Sequence, residues 1–225
     1  MSSMLSNIVS GQQPHPPRII VYGAHGTGKS TFAANAPKPI FIQTEDGAGS
    51  LDVDKFPLAK SYDDVIAQLR GLAEENHEYQ TLVIDSLDWL ETLIWAKLIQ
   101  DRPTDEKNRP VKDITDYGYG KGYDHAMEYW QQIIDAIDYL RDHKAMMVIC
   151  TAHAEIKRFD DPEADPYDRY QIKLHKRASD RLQEKMDAVF FVNYAKSTTT
   201  TDTGFGNKRT RAVGGGQRRL YYARS

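Results

Sequence analysis

Several features that would define other protein classes are missing from this sequence of 225 residues. It has one cysteine, Cys150, which excludes an intramolecular disulfide framework and a zinc site built from several cysteines. No apolar run reaches the roughly 18 residues that a membrane helix needs, and the N-terminus lacks the charged and hydrophobic regions of a secretion signal. We therefore expect a cytoplasmic protein with no membrane partner.

The sequence also lacks a large excess of either charge, since 29 basic and 32 acidic side chains give a net charge of −3. This average argues against a nucleic-acid-binding protein, but it hides a division along the chain. Residues 203–225 contain six basic and no acidic residues, whereas residues 1–202 have a net charge of −9. Because of this basic end, a polyanionic partner such as a nucleic acid is still a possible interpretation.

Short apolar runs alternate with amphipathic segments, and this order predicts an α/β domain with a mostly parallel central sheet flanked by helices. Residues 1–17 are polar and proline-rich and are expected to form a flexible N-terminal arm. Residues 18–225 then form a single domain, in which 203–225 is a basic C-terminal β-hairpin and the charged stretch 155–172 is a loop. The five buried strands are predicted over residues 18–22, 39–44, 81–84, 145–151 and 188–194.

The segment from Gly23 to Ser30, GAHGTGKS, matches the phosphate-binding pattern G-x-x-x-x-G-K-[ST] and lies between an apolar strand and a helix, as that pattern requires. Its glycines let backbone N–H groups point at a phosphate, Lys29 would reach the β- and γ-phosphates, and the Ser30 hydroxyl would bind Mg²⁺. A dinucleotide-binding fingerprint is excluded, because His25 occupies a position that needs glycine. We therefore expect ATP and Mg²⁺ to be bound here. The expected nucleotide-binding residues are Gly23, Ala24, His25, Gly26, Thr27, Gly28, Lys29, Ser30 and Thr31.

Carboxylates end two other predicted strands. Asp85 ends the strand TLVID, which we expect to neighbour the phosphate-loop strand, and it would be a second ligand of Mg²⁺; the alternative is that it caps the next helix. Glu45 ends the strand after the phosphate-loop helix, where it would deprotonate a water in line with the γ-phosphate. The adjacent Asp46 competes for that role, and a solvated turn is a third interpretation.

His153 ends the fourth predicted strand, at the same edge of the sheet. There it would hydrogen-bond the γ-phosphate and report its loss to the following loop. The alternative is a purely structural role, which is the commoner one for a lone histidine.

In combination, the segments GAHGTGKS, FIQTEDG, TLVIDSLDWL and MMVICTAH resemble the core of RecA-type ATPases. More closely, the chain is similar to the short, single-domain RecA-like ATPases of tailed phages, which act in recombination as single-strand annealing proteins. The shared segments are LSNIVSG, TEDG, IDSLDWLE, DYGYGKGY, HAEIKRF, DPYDRY with LHKRAS, and GFGNKRTR. Members of that family usually continue beyond such a hairpin, whereas this sequence ends at Ser225.

The resemblance implies a RecA-like P-loop NTPase fold and an ATP hydrolase in which Lys29, Glu45 and His153 are catalytic. It also implies that the protein assembles with itself into a ring or a filament and binds single-stranded DNA, with a phage single-strand-binding protein as a further candidate partner. Residues 155–172 would then correspond to a DNA-facing loop, and residues 108–122 to a second one.

Candidate DNA contacts combine aromatic rings, which stack on bases, with basic side chains, which meet phosphates. They are Tyr117, Tyr119, Lys121, Lys157, Arg158 and Arg169. The alternative for the tyrosines is a glycine-rich turn whose rings cover the edge of the core. Acidic neighbours offset the bases between 155 and 172, so the DNA role of that stretch rests on the resemblance.

Lys208, Arg209 and Arg211 in the basic hairpin have three interpretations: a DNA contact, a solvated hairpin, or cations inserted into the ATP site of a neighbouring subunit. We favour the third, because RecA-like assemblies place the nucleotide between subunits and a cation from the neighbour stabilises the transition state. Two rival functions stay open. One is a P-loop kinase for a small acceptor, with residues 101–122 as its lid, and the other is a non-hydrolysing nucleotide switch that binds a replication or recombination partner.

Overall fold

The computed structural model describes residues 8, 10–11, 14–47, 49–160, 165–202 and 208–222, with the backbone alone for 196–202 and 208–215. The elements within these residues are β1 (Arg18–Gly23), α1 (Lys29–Ala34), β2 (Pro39–Gln43), β3 (Asp54–Lys55), α2 (Tyr62–Glu74), β4 (Thr81–Asp85), α3 (Leu87–Asp101), α4 (Lys121–Lys144), β5 (Met147–Phe159), β6 (Tyr167–Ile172), α5 (Lys176–Lys185), β7 (Ala188–Asp202) and β8 (Lys208–Tyr222). A 3-10 turn covers Ile114–Tyr117. None of the helices in this part of the chain is long and apolar enough to cross a bilayer.

The strands form one sheet in the order β3-β2-β4-β5-β1-β7-β8. Neighbours from β3 to β7 are parallel, β8 is antiparallel to β7, and β6 is antiparallel to the outer part of β5. The predicted α/β class, with a mostly parallel sheet and a C-terminal hairpin, is confirmed. The expected adjacency of the phosphate-loop strand and the Asp85 strand is wrong, because β5 lies between β1 and β4 and pairs with both.

The two faces of the sheet are covered unequally, as the alternation along β1 shows. Ile20 and Tyr22 point into a large core formed with α2, α3, α4 and α5. Val21 points to the other face, where a smaller core includes Ala33 of α1. β1 is therefore buried on both sides, as is usual for a central parallel strand. The strand ends at Gly23, where the chain leaves the sheet.

Local signals set the ends of the helices. Ser61 caps α2 in a reciprocal capping box, in which its hydroxyl accepts from the Asp64 amide at 3.1 Å and its own amide donates to the Asp64 carboxylate at 3.0 Å. α4 ends at Lys144, before a left-handed Ala145 with φ 52°. Its last turn is basic, which complements the partial negative charge of a helix C-terminus.

Two hairpins extend beyond the edge of the sheet at which the parallel strands end. At that edge Gly23 lies opposite His153 of β5 and Val192 of β7. At the usual rise per residue, β5 continues about 20 Å past His153 and β7 about 30 Å past Val192. The β5–β6 hairpin replaces the loop predicted over 155–172, since cross-strand pairs such as Ile156 with Tyr170 stabilise strands in spite of the many charges.

The end of the predicted N-terminal arm is bonded to the body of the fold. The Arg141 side chain donates to the carbonyl oxygen of Pro16 at 3.0 Å, and the Val148 amide donates to that of Pro17 at 3.0 Å. Residues 16 and 17 are thus held against α4 and β5. Residues 1–7, 9, 12 and 13 of the arm lie outside the described residues.

Candidate functional site

The phosphate loop begins where β1 delivers the chain at Gly23. A Cβ atom on Gly23 would lie 2.3 Å from the carbonyl oxygen of Val192, so only glycine lets the strands approach this closely. Gly26 and Gly28 have φ angles of 74° and 91°, which side chains disfavour. Between them Thr27 is buried, and its hydroxyl donates to the carbonyl oxygen of Ala24 at 2.8 Å. The glycines therefore give the loop the curled backbone in which successive N–H groups can face an anion.

Lys29 is the buried cation of this loop. Its Nζ donates to the carbonyl oxygens of Gly23 at 3.2 Å and Ala24 at 3.1 Å. Burial lowers the pKa of the Lys29 amine, and the negative charges of three carboxylates oppose that shift. These belong to Asp85, Glu45 and Asp88. Acidic groups from separate segments thus lie within electrostatic range of the phosphate-loop lysine.

Asp85 is buried at the end of β4, and its Oδ1 accepts a hydrogen bond from the hydroxyl of Thr151 on β5. Thr44 holds the next residue, donating to the Ser86 carbonyl oxygen at 2.7 Å and accepting from the Ser86 amide at 2.9 Å. Ser86 occupies the N-cap position of α3, so the Asp85 carboxylate is not the cap of that helix. Its orientation is instead set by β5, the strand that separates it from the phosphate-loop strand.

Glu45 is half-buried just beyond the end of β2. Burial raises the pKa of its carboxyl above the usual value; the charges of Asp85 and Asp88 add to this rise, and those of His153 and Lys29 oppose it. Its competitor Asp46 is exposed to solvent. The structure therefore brings Glu45 into the group around Lys29.

His153 is held by Asp88, which the sequence analysis did not single out. Asp88 lies in the first turn of α3, accepts from the His153 amide at 3.0 Å and lies 2.9 Å from its Nδ1. Burial acts to raise the pKa of the Asp88 carboxyl, but its hydrogen bonds with His153 and the charge of that ring outweigh burial and lower it. The contact assigns the Nδ1–H to Asp88 and leaves Nε2 for another partner. Asp88 follows the strand end at Asp85 by three residues, but this spacing does not show that the first turn of α3 reaches His153.

The rings of His153 and His25 face each other, with their centroids 6.0 Å apart and their planes at 17°. His25 is an exposed residue of the phosphate loop. The end of β5 and the tip of the loop are therefore in contact through these two rings.

The oxygen donors near the loop suit Mg²⁺. This ion prefers carboxylate and hydroxyl oxygens, keeps several waters and is usually bound through one or two carboxylates together with the phosphates of a substrate. The buried Asp85 and the Ser30 hydroxyl in the first turn of α1 are such donors. Among the described residues, no cluster of three or more His, Cys, Asp or Glu side chains is arranged to hold a metal ion. A Mg²⁺ ion here would accordingly depend on nucleotide phosphates as further ligands.

A cross-strand pair from the β7–β8 hairpin, Tyr194 and Arg218, lies on the other side of the loop. The Tyr194 hydroxyl donates to the carbonyl oxygen of Gly26 at 2.8 Å. Arg218 Nη1 lies 2.6 Å from the position that a Cβ atom on Gly28 would occupy. Neither residue was predicted, because the sequence shows a group of basic residues without showing which of them faces the loop.

The predicted DNA contacts between 117 and 121 differ in exposure. Tyr117 is buried, and its hydroxyl donates to the carbonyl oxygen of Arg102 at 2.6 Å. Its ring belongs to the core, which corrects the expectation that it stacks on a base. Tyr119 is fully exposed, and Lys121 forms an ion pair with Glu106 at 2.5 Å.

The other predicted DNA contacts, Lys157, Arg158 and Arg169, are exposed on the β5–β6 hairpin. Lys157 pairs with Glu155 at 2.6 Å, and Arg158 with Asp160 at 3.2 Å. The hairpin therefore presents cations to solvent, with part of their charge neutralised by its own acids.

Lys208, Arg209 and Arg211 lie in the part of β8 that pairs with residues 199–202 of β7. Their side chains lie outside the described residues, so the structure places only their backbone.

One comparison with known proteins, that with protein families, agrees with a nucleotide-binding domain. The profile of a family described as "AAA domain" matches residues 15–224, which include every residue of the site. No curated protein matches the sequence. One solved structure that the chain resembles is the crystal structure of the RadB recombinase, with 11% sequence identity, coverage of 92% of this chain and 88% of that chain, and a TM-score of 0.47.

Proposed function

The chain belongs to the AAA domain family, and from this premise we propose that it is a Mg²⁺-dependent ATPase that assembles with itself and binds single-stranded DNA in phage recombination. The observation that carries the ATPase is the convergence of Lys29, Glu45 and Asp85 at one edge of the sheet. These residues lie in three separate segments, yet together they supply a phosphate-binding cation, a base and a metal ligand.

In the proposed reaction, the loop amides and Lys29 would hold the phosphates, and Ser30 and Asp85 would hold the metal. A water oxygen attacks the γ-phosphorus, the bond to the β-phosphate oxygen breaks, and the water proton passes to Glu45. Bound Mg²⁺ supplies positive charge that neutralises the developing charge on the phosphate oxygens. The raised pKa of Glu45 favours this role, because a more basic carboxylate accepts a proton more readily.

We propose that His153 is the sensor of the γ-phosphate. Asp88 fixes one side of its ring, which leaves Nε2 to hydrogen-bond a phosphate oxygen. Because β5 continues from His153 into the β5–β6 hairpin, loss of that bond after hydrolysis would act at the base of the hairpin. This arrangement supports a link between the nucleotide state and whatever binds there.

Single-stranded DNA is the partner that we propose for the face beside His153, where a cleft of about 370 Å³ opens. The aromatic residues that line it are Trp89, Trp95, Tyr123 and His175. Trp89 is 49% exposed, and Lys157 and Lys173 also line the cleft. The exposed ring of Trp89 next to these lysines suits an unstacked base and its phosphate.

Three carboxylates also line this cleft, and each has a partner within the protein. Asp88 binds His153, Glu155 pairs with Lys157, and Glu91 accepts from the His175 amide at 3.0 Å. Their charge is therefore partly compensated before a polyanion arrives.

Self-assembly is supported by the length of the β7–β8 hairpin. Arg218 is beside the phosphate loop, and the strand rise places residues 208–211 about 20 to 30 Å further along β8. Cations at that distance are out of reach of their own nucleotide. We therefore propose that Lys208, Arg209 and Arg211 act at the ATP site of a neighbouring copy.

The test is the rate of phosphate release with and without single-stranded DNA, coupled to a mass measurement in each state. We expect free phosphate, a higher rate with DNA, and a larger mass with ATP. A phosphorylated acceptor in place of free phosphate would indicate the kinase, and negligible turnover in both conditions would indicate the switch. No stimulation and no DNA binding at low salt would exclude the recombination role while leaving the ATPase intact.

The DNA site has its own variant. Trp89→Ala removes a stacking surface and is expected to weaken binding of single-stranded DNA about tenfold, as loss of one base–aromatic contact does. The matched control is Tyr139→Ala, which removes an aromatic side chain of similar exposure (44%) from α4. Equal DNA affinity of the two variants would contradict the proposed cleft.

A further inference from the structure

We propose that Arg218, from the C-terminal hairpin of the same chain, is a cation of the nucleotide site that binds the α- and β-phosphates. This inference rests on the proposed function, because it requires a nucleotide on the phosphate loop. It gives one member of the basic end a role within its own subunit, separate from that proposed for Lys208, Arg209 and Arg211.

The contact of the hairpin with the loop is specific in its geometry. Tyr194 and Arg218 are directly opposite each other in the β7–β8 pairing. Tyr194 binds the carbonyl of Gly26, and the Arg218 guanidinium lies against Gly28. A single cross-strand pair thus contacts both glycines whose left-handed backbone shapes the loop.

The position of the guanidinium selects a part of the nucleotide. Arg218 borders a cleft of about 270 Å³ between α1 and β8, whose other walls include Gly28, Thr31, Phe32 and Leu220. Gly28 and Thr31 flank Lys29 and Ser30 in the motif, and the loop amides of this motif cradle the α- and β-phosphates while its lysine reaches the β- and γ-phosphates. The side chain beside Gly28 is therefore at the α/β end of a bound triphosphate.

The charge of Arg218 is not used elsewhere in the described part of the protein. Its guanidinium carbon lies 6.0 Å from the ring centroid of Tyr194, and no carboxylate of the described residues forms an ion pair with it. Arg18, by contrast, pairs with Asp138 at 2.6 Å and Asp187 at 3.2 Å. An unpaired guanidinium next to a phosphate loop has the fork of donors that phosphate oxygens accept.

Leu220 and Phe32 extend the same cleft with apolar surface. They are 46% and 40% exposed, although both are large hydrophobic residues. They lie on the two walls of the cleft, one on β8 and one on α1. A ligand whose phosphates meet Arg218 would therefore have an apolar surface beside it for its nucleoside part.

The experiment compares Arg218→Ala and Arg218→Lys with Arg70→Ala, which removes an exposed arginine from α2 on the opposite face of the sheet. The affinities for ATP and ADP are measured by calorimetry at one fixed salt concentration, and thermal unfolding is measured without nucleotide. We expect Arg218→Ala to weaken ATP and ADP by the same factor of about ten, the size of one charge-assisted hydrogen bond. Arg218→Lys should restore part of that loss, and Arg70→Ala should bind like the unmodified protein.

Three results would overturn the inference. Unchanged affinities would exclude a contact with the nucleotide, and a loss for ATP alone would place the guanidinium at the γ-phosphate instead. A lower unfolding temperature with unchanged affinities would show that Arg218 only packs against Gly28. If Arg218→Ala does not fold, Arg218→Lys keeps the side-chain volume and the charge but not the fork, so its ATP and ADP affinities decide.

Lys29→Ala, measured in parallel, separates this inference from the proposed function. Normal nucleotide binding by Lys29→Ala would refute the proposed function, and the inference with it. Loss of binding by Lys29→Ala together with normal binding by Arg218→Ala would refute the role of Arg218 alone.

Discussion

The phosphate loop lies between two sides of opposite charge that are built in different ways. The acidic side consists of Glu45, Asp85, Asp88 and His153, and the basic side consists of Tyr194 and Arg218. Acidic-side groups are buried or half-buried at the ends of parallel strands and the start of α3. There Asp88 hydrogen-bonds His153, and Asp85 accepts a hydrogen bond from Thr151. The basic side belongs to one hairpin at the edge of the sheet and reaches the loop from solvent.

This difference indicates a division of work. A base and a sensor must be held in a fixed geometry, which buried strand ends and satisfied polar partners provide. A cation that binds phosphate needs charge and reach more than rigidity, so an exposed hairpin is sufficient. We therefore expect changes on the acidic side to act on the rate of hydrolysis, and changes on the basic side to act on the affinity for nucleotide.

Lys29→Ala, at the centre of the comparison, should have the largest effect, since Lys29 serves both sides. We expect ATP affinity to fall about a hundredfold, because a charged donor to phosphate is lost, and phosphate release to disappear. Calorimetry and a phosphate assay measure the two effects. Lys60→Ala, on the exposed residue before α2, is the matched control, and equal behaviour of the two variants would remove Lys29 from the site.

Glu45→Gln should affect the rate alone. We expect single-turnover hydrolysis to slow by about 10²- to 10⁴-fold, the usual contribution of a general base, with ATP affinity within about twofold of the unmodified protein. Asp46→Asn is the matched control, because it changes the adjacent exposed carboxyl. If Asp46→Asn were the slower variant, the base assignment would move to Asp46.

The pH dependence of hydrolysis gives a second test of Glu45. Only the ionised carboxylate accepts a proton, so the rate should fall as the pH is lowered through its pKa. Burial raises that pKa above 4.5, the usual value for a glutamic acid. In a plot of rate against pH, the midpoint of the decrease on the acidic side, called here the acidic limb, should therefore lie above pH 4.5. The acidic limb should be absent from the residual activity of Glu45→Gln. If the unmodified protein and Glu45→Gln lose activity at the same pH, the titrating group is not Glu45.

Asp88→Asn tests whether this carboxylate acts through His153. We expect a decrease of about tenfold in the rate with little change in ATP affinity, because the ring loses the acceptor that orients it. The decisive comparison is the double variant with His153→Asn, which should be no slower than His153→Asn alone. A double variant with the product of the two single effects would show that Asp88 acts independently.

Tyr194→Phe, on the basic side, should have the smallest effect. It removes one hydroxyl that bonds to the Gly26 carbonyl, a contact of about 1 kcal/mol, so ATP affinity should fall by at most about fivefold. Hydrogen exchange of the loop amides should become faster, while Tyr139→Phe on α4 should leave them unchanged. A loss of turnover at saturating ATP would mean that the hairpin takes part in the chemistry, and the proposed division of work would be wrong.

The acidic side could be largely predicted from the sequence. Each of Glu45, Asp85 and His153 closely follows a short, mostly apolar run, and the ends of parallel strands meet at one edge of a sheet whatever the order of the strands. That order itself could not be predicted, since the insertion of β5 between β1 and β4 depends on long-range pairing. Asp88 was missed because its contact with His153 depends on how α3 leaves the sheet.

The basic side could not be predicted in the same way. The face that each hairpin residue presents depends on the register of β7 and β8, which shifts at an irregularity between Tyr194 and Lys196. The sequence shows where cations are concentrated but not that Arg218 lies beside Gly28. The burial of Tyr117 could not be predicted for a similar reason, because it depends on packing against another segment. Its ring packs against Gly122, where a Cβ atom would lie 2.2 Å from the Ile114 carbonyl oxygen.

β5 carries three of these features on one continuous strand: Thr151, which orients Asp85; His153, which faces the loop; and Lys157, on the hairpin beyond the sheet. We propose that this continuity couples ligand binding at the hairpin to the state of the phosphates. By thermodynamic reciprocity, a ligand of the hairpin that tightens nucleotide binding by some factor must itself be bound more tightly, by that same factor, when the nucleotide is present. Hydrolysis would then weaken the binding of the second ligand as well. The rate of hydrolysis would therefore limit how long that ligand stays bound.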